Sequence, residues 1–215
     1  MVELVCGKEA AQLLEKHVIN KIFLDIDDVL NEFSMAALHY VGATGTHLPY
    51  TKYPDCGWDI VEAANVLRKP GSWAYGVEEF WGTLGESFWA NIPRTPDCYK
   101  LITWCAAQVG EDNLYLATCA TKSPACAAGK LRWIHEFMPK FLHRQYMIGA
   151  QKSLLADSNS LLIDDRIKNC ELFRNAGGSA ILVSRPWNQF PWKKGMDRAS
   201  IQLGLAQYLN DEREL

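Results

Sequence analysis

The polar and apolar positions of this chain fall into a repeating order. "EAAQLLEKHV" has the spacing of a short amphipathic helix, and "KIFLDI" follows as a brief apolar run that ends in Asp, the pattern of a buried strand. From residue 31 to residue 95 the character changes. Gly, Pro, Tyr and Trp are frequent, "SMAALHYV" and "DIVEAANVLR" read as helices, and no strand pattern is evident. Regular alternation resumes with the helix "TPDCYKLITWCAAQVG", begun by a Thr or Asp cap and stopped at Gly110. The strand "NLYLAT", the loop and helix "CATKSPACAAGKLRWIHEFMP", the strand "QYMIGA" and a loop containing Lys152 come next. The strand "SLLID", the helix "RIKNCELFRNAGG", the strand "AILVS" and the amphipathic helix "RASIQLGLAQYLN" complete the series.

About five short apolar strands separated by helices predict an α/β fold: a Rossmann-like parallel sheet with helices on both faces. The expected organisation is a core made of residues 1–30 and 96–215. Residues 31–95 form a small, mainly helical cap inserted after the first strand, with its own small core.

Composition agrees with a globular chain. The 215 residues are 48% hydrophobic and 22% charged, enough for a substantial core. The net charge of −3 and the lack of a basic run argue against stable binding of duplex nucleic acid, while leaving room for a small anionic ligand. Seven cysteines are scattered without CxxC or zinc spacing, which suggests reduced thiols, several of them buried, in a cytoplasmic protein. No segment is long and apolar enough to predict a membrane span, and "MVELVC" carries charge too early for a signal peptide. The sequence leaves the oligomeric state open, a homodimer included.

In an open parallel sheet, ligands bind at the carboxyl ends of the strands. Here those ends carry Asp25 and Asp27, then Thr118, then Lys152, then Asp164 and Asp165. Close carboxylates repel unless a cation or proton answers them. Asp25 and Asp164 together make a hard oxygen site suited to Mg²⁺. One Asp oxygen remains free to attack phosphorus, and Asp27 can lean over the site to move a proton. Thr118 can donate to a phosphoryl oxygen, and Lys152 can balance the charge of the nucleophile and the transferred group. Each residue alone has an ordinary reading: a turn carboxylate, a β-branched strand residue, a solvated lysine. Their placement at the ends of successive strands carries the inference.

These motifs resemble those of the haloacid dehalogenase-like phosphohydrolase superfamily: "FLDIDDVL", "LYLAT", Lys152 in "GAQKSLL", and "LLIDDR". The resemblance covers about residues 20–30 and 96–190. It implies Asp25 as nucleophile, Asp27 as acid/base, and a Mg²⁺ held by Asp25, Asp164 and the backbone carbonyl of Asp27, with Asp165 in support. Asp28 stands where many relatives have Gly, and its side chain is expected to point away from the phosphate. Lys130 competes with Lys152 for the lysine role, and the loop position of Lys152 suits it better.

More narrowly, the chain is similar to the 5'(3')-deoxyribonucleotidases. "ATCATK" matches that family's phosphate loop, placing Lys122 as a second phosphate-contacting lysine and Cys119 where Ser is usual. Matching cap segments suggest Phe33, Trp58 and Trp81 around a base, although Trp at such spacing also builds a core. Arg185, Trp187 and Asn188 either touch substrate or seal the core. The resemblance implies an Mg²⁺-dependent phosphomonoester hydrolase acting on (pyrimidine) nucleoside monophosphates through an aspartyl-phosphate. The alternatives are a phosphatase of another small phosphometabolite or of a nucleic-acid 3'-phosphate end, a phosphotransferase, and a non-catalytic binder that kept the fold.

Overall fold

The computed structural model describes residues 19–43, 59–183, 185, 187 and 188. The expected first and last helices, and Trp58, lie outside these residues. Strand β1 (Lys21–Leu24) is followed by helices α1 (Phe33–Tyr40), α2 (Ile60–Leu67), α3 (Val77–Thr83), α4 (Glu86–Ala90) and α5 (Cys98–Val109). Then come β2 (Leu114–Thr118), α6 (Pro124–Phe137), β3 (Tyr146–Ile148), a 3-10 turn at Lys152–Leu155, β4 (Ser160–Asp164), α7 (Ile167–Asn175) and β5 (Ser179–Leu182). The strands form one sheet in the order β3-β2-β1-β4-β5, and every pairing is parallel. The five-strand α/β reading of the sequence is therefore correct.

The period-2 alternation of the strands divides the core between the two faces of the sheet. Ile22, Leu24, Leu114, Leu116, Leu161 and Ile163 belong to one apolar cluster. The intervening Phe23, Ala117 and Leu162 belong to another, closed by Cys170 and Phe173 of α7. On the first face, α5 presents Cys98, Leu101, Ile102 and Cys105, a stripe at helical spacing. Its stop is Gly110, whose φ of +85° is a conformation that side chains disfavour. β4 is buried along its whole length, as a central parallel strand must be.

The chain leaves and re-enters the sheet edge through a narrow neck. Glu32 N–H donates to the Pro93 carbonyl at 2.9 Å, and Thr95 N–H to that of Leu30 at 2.9 Å. Between these points lie α1 to α4. Asp59 caps α2 by accepting from the N–H groups of Val61 (2.9 Å) and Glu62 (3.1 Å). Among the described residues, the apolar side chains of this segment do not form a separate core. Phe80, Leu84, Phe88 and Trp89 join the cluster beneath the sheet. The reason is a close approach of α4 to α6 at Gly129. A Cβ there would lie 2.4 Å from the Trp89 Cβ and 2.6 Å from the Glu86 carbonyl oxygen. Among the described residues no helix is long and apolar enough to cross a membrane.

Two outcomes check this packing. Gly129→Ala should destabilise the fold by about 1–3 kcal/mol in urea denaturation, because backbone must move to admit the methyl group. Gly82→Ala, where a Cβ meets nothing within 4 Å, should be close to neutral. The thiols give a second check. Burial pushes Cys98 and Cys105 up to about 12 and also raises Cys126 and Cys170, whereas Cys119 is exposed. Alkylation of the native protein at pH 8 followed by peptide mapping should modify Cys119 and spare those four; labelling of Cys105 at a comparable rate would contradict the packing.

Candidate active site

The register of β1 against β4 builds the site. Leu24 pairs with Ile163, so the next residues, Asp25 and Asp164, leave adjacent strands side by side. Asp25 N–H continues the ladder to the Ile163 carbonyl at 2.9 Å. These are the strands between which the sheet order reverses, where open α/β sheets hold their ligands. The 3-10 turn at Lys152–Leu155 delivers a buried ammonium to the same point. Lys152 Nζ lies 2.8 Å from Asp25 Oδ1 and 2.6 Å from Asp164 Oδ2. Burial alone would lower the Lys152 pKa, but the two carboxylates outweigh it and hold it above the ordinary lysine range.

Asp164 is fully buried and held from every side. Its Oδ1 accepts from Arg166 N–H at 2.8 Å, and the Asn169 amide reaches both oxygens, at 3.1 and 3.0 Å. Burial and the neighbouring Asp25 still raise its pKa. Asp165, expected only to support, turns its carboxylate to the same spot. One oxygen each of Asp25, Asp164 and Asp165 lies within 4.8 Å of the others. Burial, then Asp28, Asp164 and Asp25, push the Asp165 carboxyl well above the ordinary carboxylate range.

Two like charges about 4 Å apart repel by about 4 kcal/mol at an effective dielectric near 20. Were all three carboxylates ionised, the Lys152 ammonium would leave two negative charges uncompensated, which is why the neighbouring carboxylates add to burial in raising Asp164 and Asp165. Three buried carboxylate oxygens converging on one point are also the donor chemistry a hard divalent cation prefers. The residues present therefore fit such an ion.

The loop after β1 sorts its acidic residues into different environments. Asp27 accepts from Asn31 Nδ2 at 3.3 Å and forms an ion pair with Lys130. Lys130 also donates to Thr118 Oγ1 at 2.9 Å. Asp28 adopts the left-handed conformation, φ +57°, which among side-chain-bearing residues Asn and Asp tolerate best. Its carboxylate accepts from Ser34 N–H (2.9 Å) and Ser34 Oγ (2.5 Å), tying the start of α1 to the loop. Burial pushes Asp28 up to about 7 in spite of these bonds.

A cleft of about 1210 Å³ opens over the strand ends. Asp25, Asp27, Asp28, Lys152 and Asp165 reach it from the sheet, and Cys119 and Lys122 from the loop after β2. Phe33 and Trp81 line the opposite side, as does Trp89, which the sequence did not single out. Phe33 stacks nearly parallel on both indoles, at 6.1 Å (3°) to Trp81 and 5.1 Å (8°) to Trp89. Thr118 is 1% exposed and does not line the cleft; its hydroxyl faces Lys130.

Arg185, Trp187 and Asn188 are buried behind the site rather than within the cleft. Arg185 Nε donates to the Asp28 carbonyl (2.5 Å), Trp187 Nε1 to Asp165 Oδ2 (3.1 Å), and Asn188 Nδ2 to the Asp165 carbonyl (3.3 Å). They brace the two acidic loops. Asn31 and Asn169 were not anticipated. Asn169 had one usable signal, a polar residue in the first turn of the helix that follows the last acidic motif.

No protein-family model matches the sequence. Over 77 residues it is 31% identical to the 5'(3')-deoxyribonucleotidases of Bacillus subtilis (strain 168) and Bacillus phage SPbeta. That stretch is 36% of this chain and 42% of each relative, so it spans less than half of their length. Among solved structures the chain is similar to the HAD hydrolase YfnB of Bacillus subtilis bound to magnesium. The identity is 12%, the TM-score 0.51, and 82% of this chain and 91% of that one are covered. It is likewise similar to a HAD-family hydrolase of Deinococcus radiodurans R1 with bound phosphate and sodium, at 12% identity and TM-score 0.51, covering 88% and 96%. Sheet order, strand-end chemistry and these likenesses agree: the chain has the fold of the haloacid dehalogenase-like hydrolases.

Proposed function

We propose that the protein is a divalent-metal-dependent phosphomonoester hydrolase, with Mg²⁺ as the natural ion. The observation that carries this reading is the Lys152 ammonium bridging Asp25 and Asp164, with Asp165 turned to the same point. Asp25 has one oxygen on Lys152 and a place on the cleft wall, so it is the nucleophile. It attacks phosphorus as the bond to the leaving oxygen breaks, and Asp27 supplies the proton that oxygen needs. Asp27 then takes a proton from water, which attacks the phosphorus of the aspartyl-phosphate, releases inorganic phosphate and restores Asp25. Asp25, Asp164, Asp165 and the Asp27 backbone carbonyl would hold the cation, which supplies positive charge for the phosphoryl oxygens. Lys152 orients Asp25 and offsets the charge of the transferred phosphoryl group, while Lys122 and the Cys119 loop lie on the cleft wall where the phosphate would enter.

In this reading residues 31–95 are a cap over a core of residues 1–30 and 96–215, which excludes water from the reacting centre. The leading substrates are nucleoside monophosphates, pyrimidine deoxynucleotides among them. Trp81, half-buried on the cleft wall, is the ring of the Phe33–Trp81–Trp89 cluster with surface left for a planar base, since Phe33 and Trp89 are buried against their neighbours; base–aromatic stacking is worth about 1–3 kcal/mol per base in single-strand binders. Asp59, Glu62 and Glu78 also line the cleft, which disfavours a substrate with further phosphates away from the reacting one. The partial match to the deoxyribonucleotidases agrees with this choice.

A panel of 5'- and 3'-nucleoside monophosphates, sugar phosphates and a 3'-phosphorylated oligonucleotide, assayed with Mg²⁺, tests the substrate class. The expected result is selective release of phosphate from nucleoside monophosphates; equal rates across the panel would remove the nucleotide assignment. Asp25→Asn should lower turnover about 10⁴-fold or more while circular dichroism stays that of the native fold. Undiminished metal-dependent activity in that variant would refute the nucleophile assignment.

A further inference from the structure

Lys130 has no role in the steps above, yet it is 2% exposed on α6 and reaches the loop that carries Asp27. A buried ammonium persists only where partners replace its water. Its partners are the Asp27 carboxylate, Thr118 Oγ1 at 2.9 Å, and the Trp89 ring, whose centroid is 5.2 Å from Nζ. The second Asp27 oxygen accepts from Asn31 Nδ2 at 3.3 Å. The carboxyl group is thus held from two sides while remaining on the cleft wall. Neighbouring Gly129 lies at a close approach of α6 to α4, so the backbone beneath Lys130 has little freedom. Lys130 itself does not line the cleft. Whatever it contributes to a reaction there passes through its partners.

We infer that Lys130 is a positioning residue: together with Asn31 it holds the Asp27 carboxyl group in the rotamer that faces the leaving oxygen. This rests on the phosphomonoesterase reading and adds a residue to it. Its consequence depends on the substrate. An alkyl phosphate has a poor leaving group that needs the Asp27 proton, whereas the leaving group of p-nitrophenyl phosphate departs without one. A merely structural lysine would affect both esters alike.

The test compares kcat/KM, which reports phosphoryl transfer to Asp25, for the best alkyl phosphate of the panel and for p-nitrophenyl phosphate. In Lys130→Met the alkyl value should fall about 100-fold, while the p-nitrophenyl value stays within about threefold of wild type. Lys130→Arg should restore part of the loss, and a crystal structure of Lys130→Met should show Asp27 rotated from its place beside Asn31. Lys130→Gln carries the same comparison if the Met variant does not fold. Equal losses on both esters, an unchanged alkyl rate, or an unmoved Asp27 would overturn the inference while leaving the hydrolase reading intact. Failure of the wild-type protein to hydrolyse either ester would overturn both.

Discussion

The structure turns on one buried ammonium held between two carboxylates. Asp25 and Asp164 emerge side by side because β1 and β4 pair in the register Leu24 to Ile163, and without Lys152 two buried like charges would face each other. A slip of one residue would carry Asp164 to the other face of the sheet, away from Asp25. The apolar alternation that sorts Ile163 and Leu162 onto opposite faces therefore also fixes the chemistry at the strand ends. Packing sets the register, and the register sets the electrostatics. The turn that delivers Lys152 and the bonds from Arg166 and Asn169 complete a cage around Asp164.

A second layer surrounds this centre and gives neighbouring acidic residues unlike surroundings. Asp27 is paired with Lys130 and Asn31, Asp28 with Ser34, and Asp165 with Trp187. The inserted helices are bound into the same arrangement: Trp89 packs against Gly129 on one side and lies over Lys130, itself paired with Asp27, on the other. The wall of the cleft and its proposed proton-transfer residue therefore share one packed unit.

Much of this was legible in the sequence, for reasons visible in particular residues. Short apolar runs ending in Asp25, Thr118 and Asp164 announced both the parallel sheet and the edge at which its polar residues would meet. Gly110 marked the end of α5, as its positive φ requires. Less legible was anything decided by side-chain direction. Thr118 stands at a strand end, as read, but its hydroxyl turns to Lys130 because a buried ammonium needs an acceptor. Lys130 itself depended on the rotational phase of α6, which weak amphipathicity leaves undetermined. The expectation of a separate small core in the inserted segment missed the Gly129 contact, since a single glycine gives no periodic signal. Asn31 and Asn169 are short-range braces, and their chemistry appears only once the loop has folded around them.

The most direct measurement of the central claim is to quench a single turnover of a phosphorylated substrate in acid, reduce with borohydride and map the modified residue by mass spectrometry. If the paired carboxylates and their lysine make Asp25 the group that receives the phosphoryl moiety, the peptide containing Asp25 carries homoserine at that position. Turnover with Asp25 unmodified, or modification at Asp27 or Asp164 instead, would contradict the account.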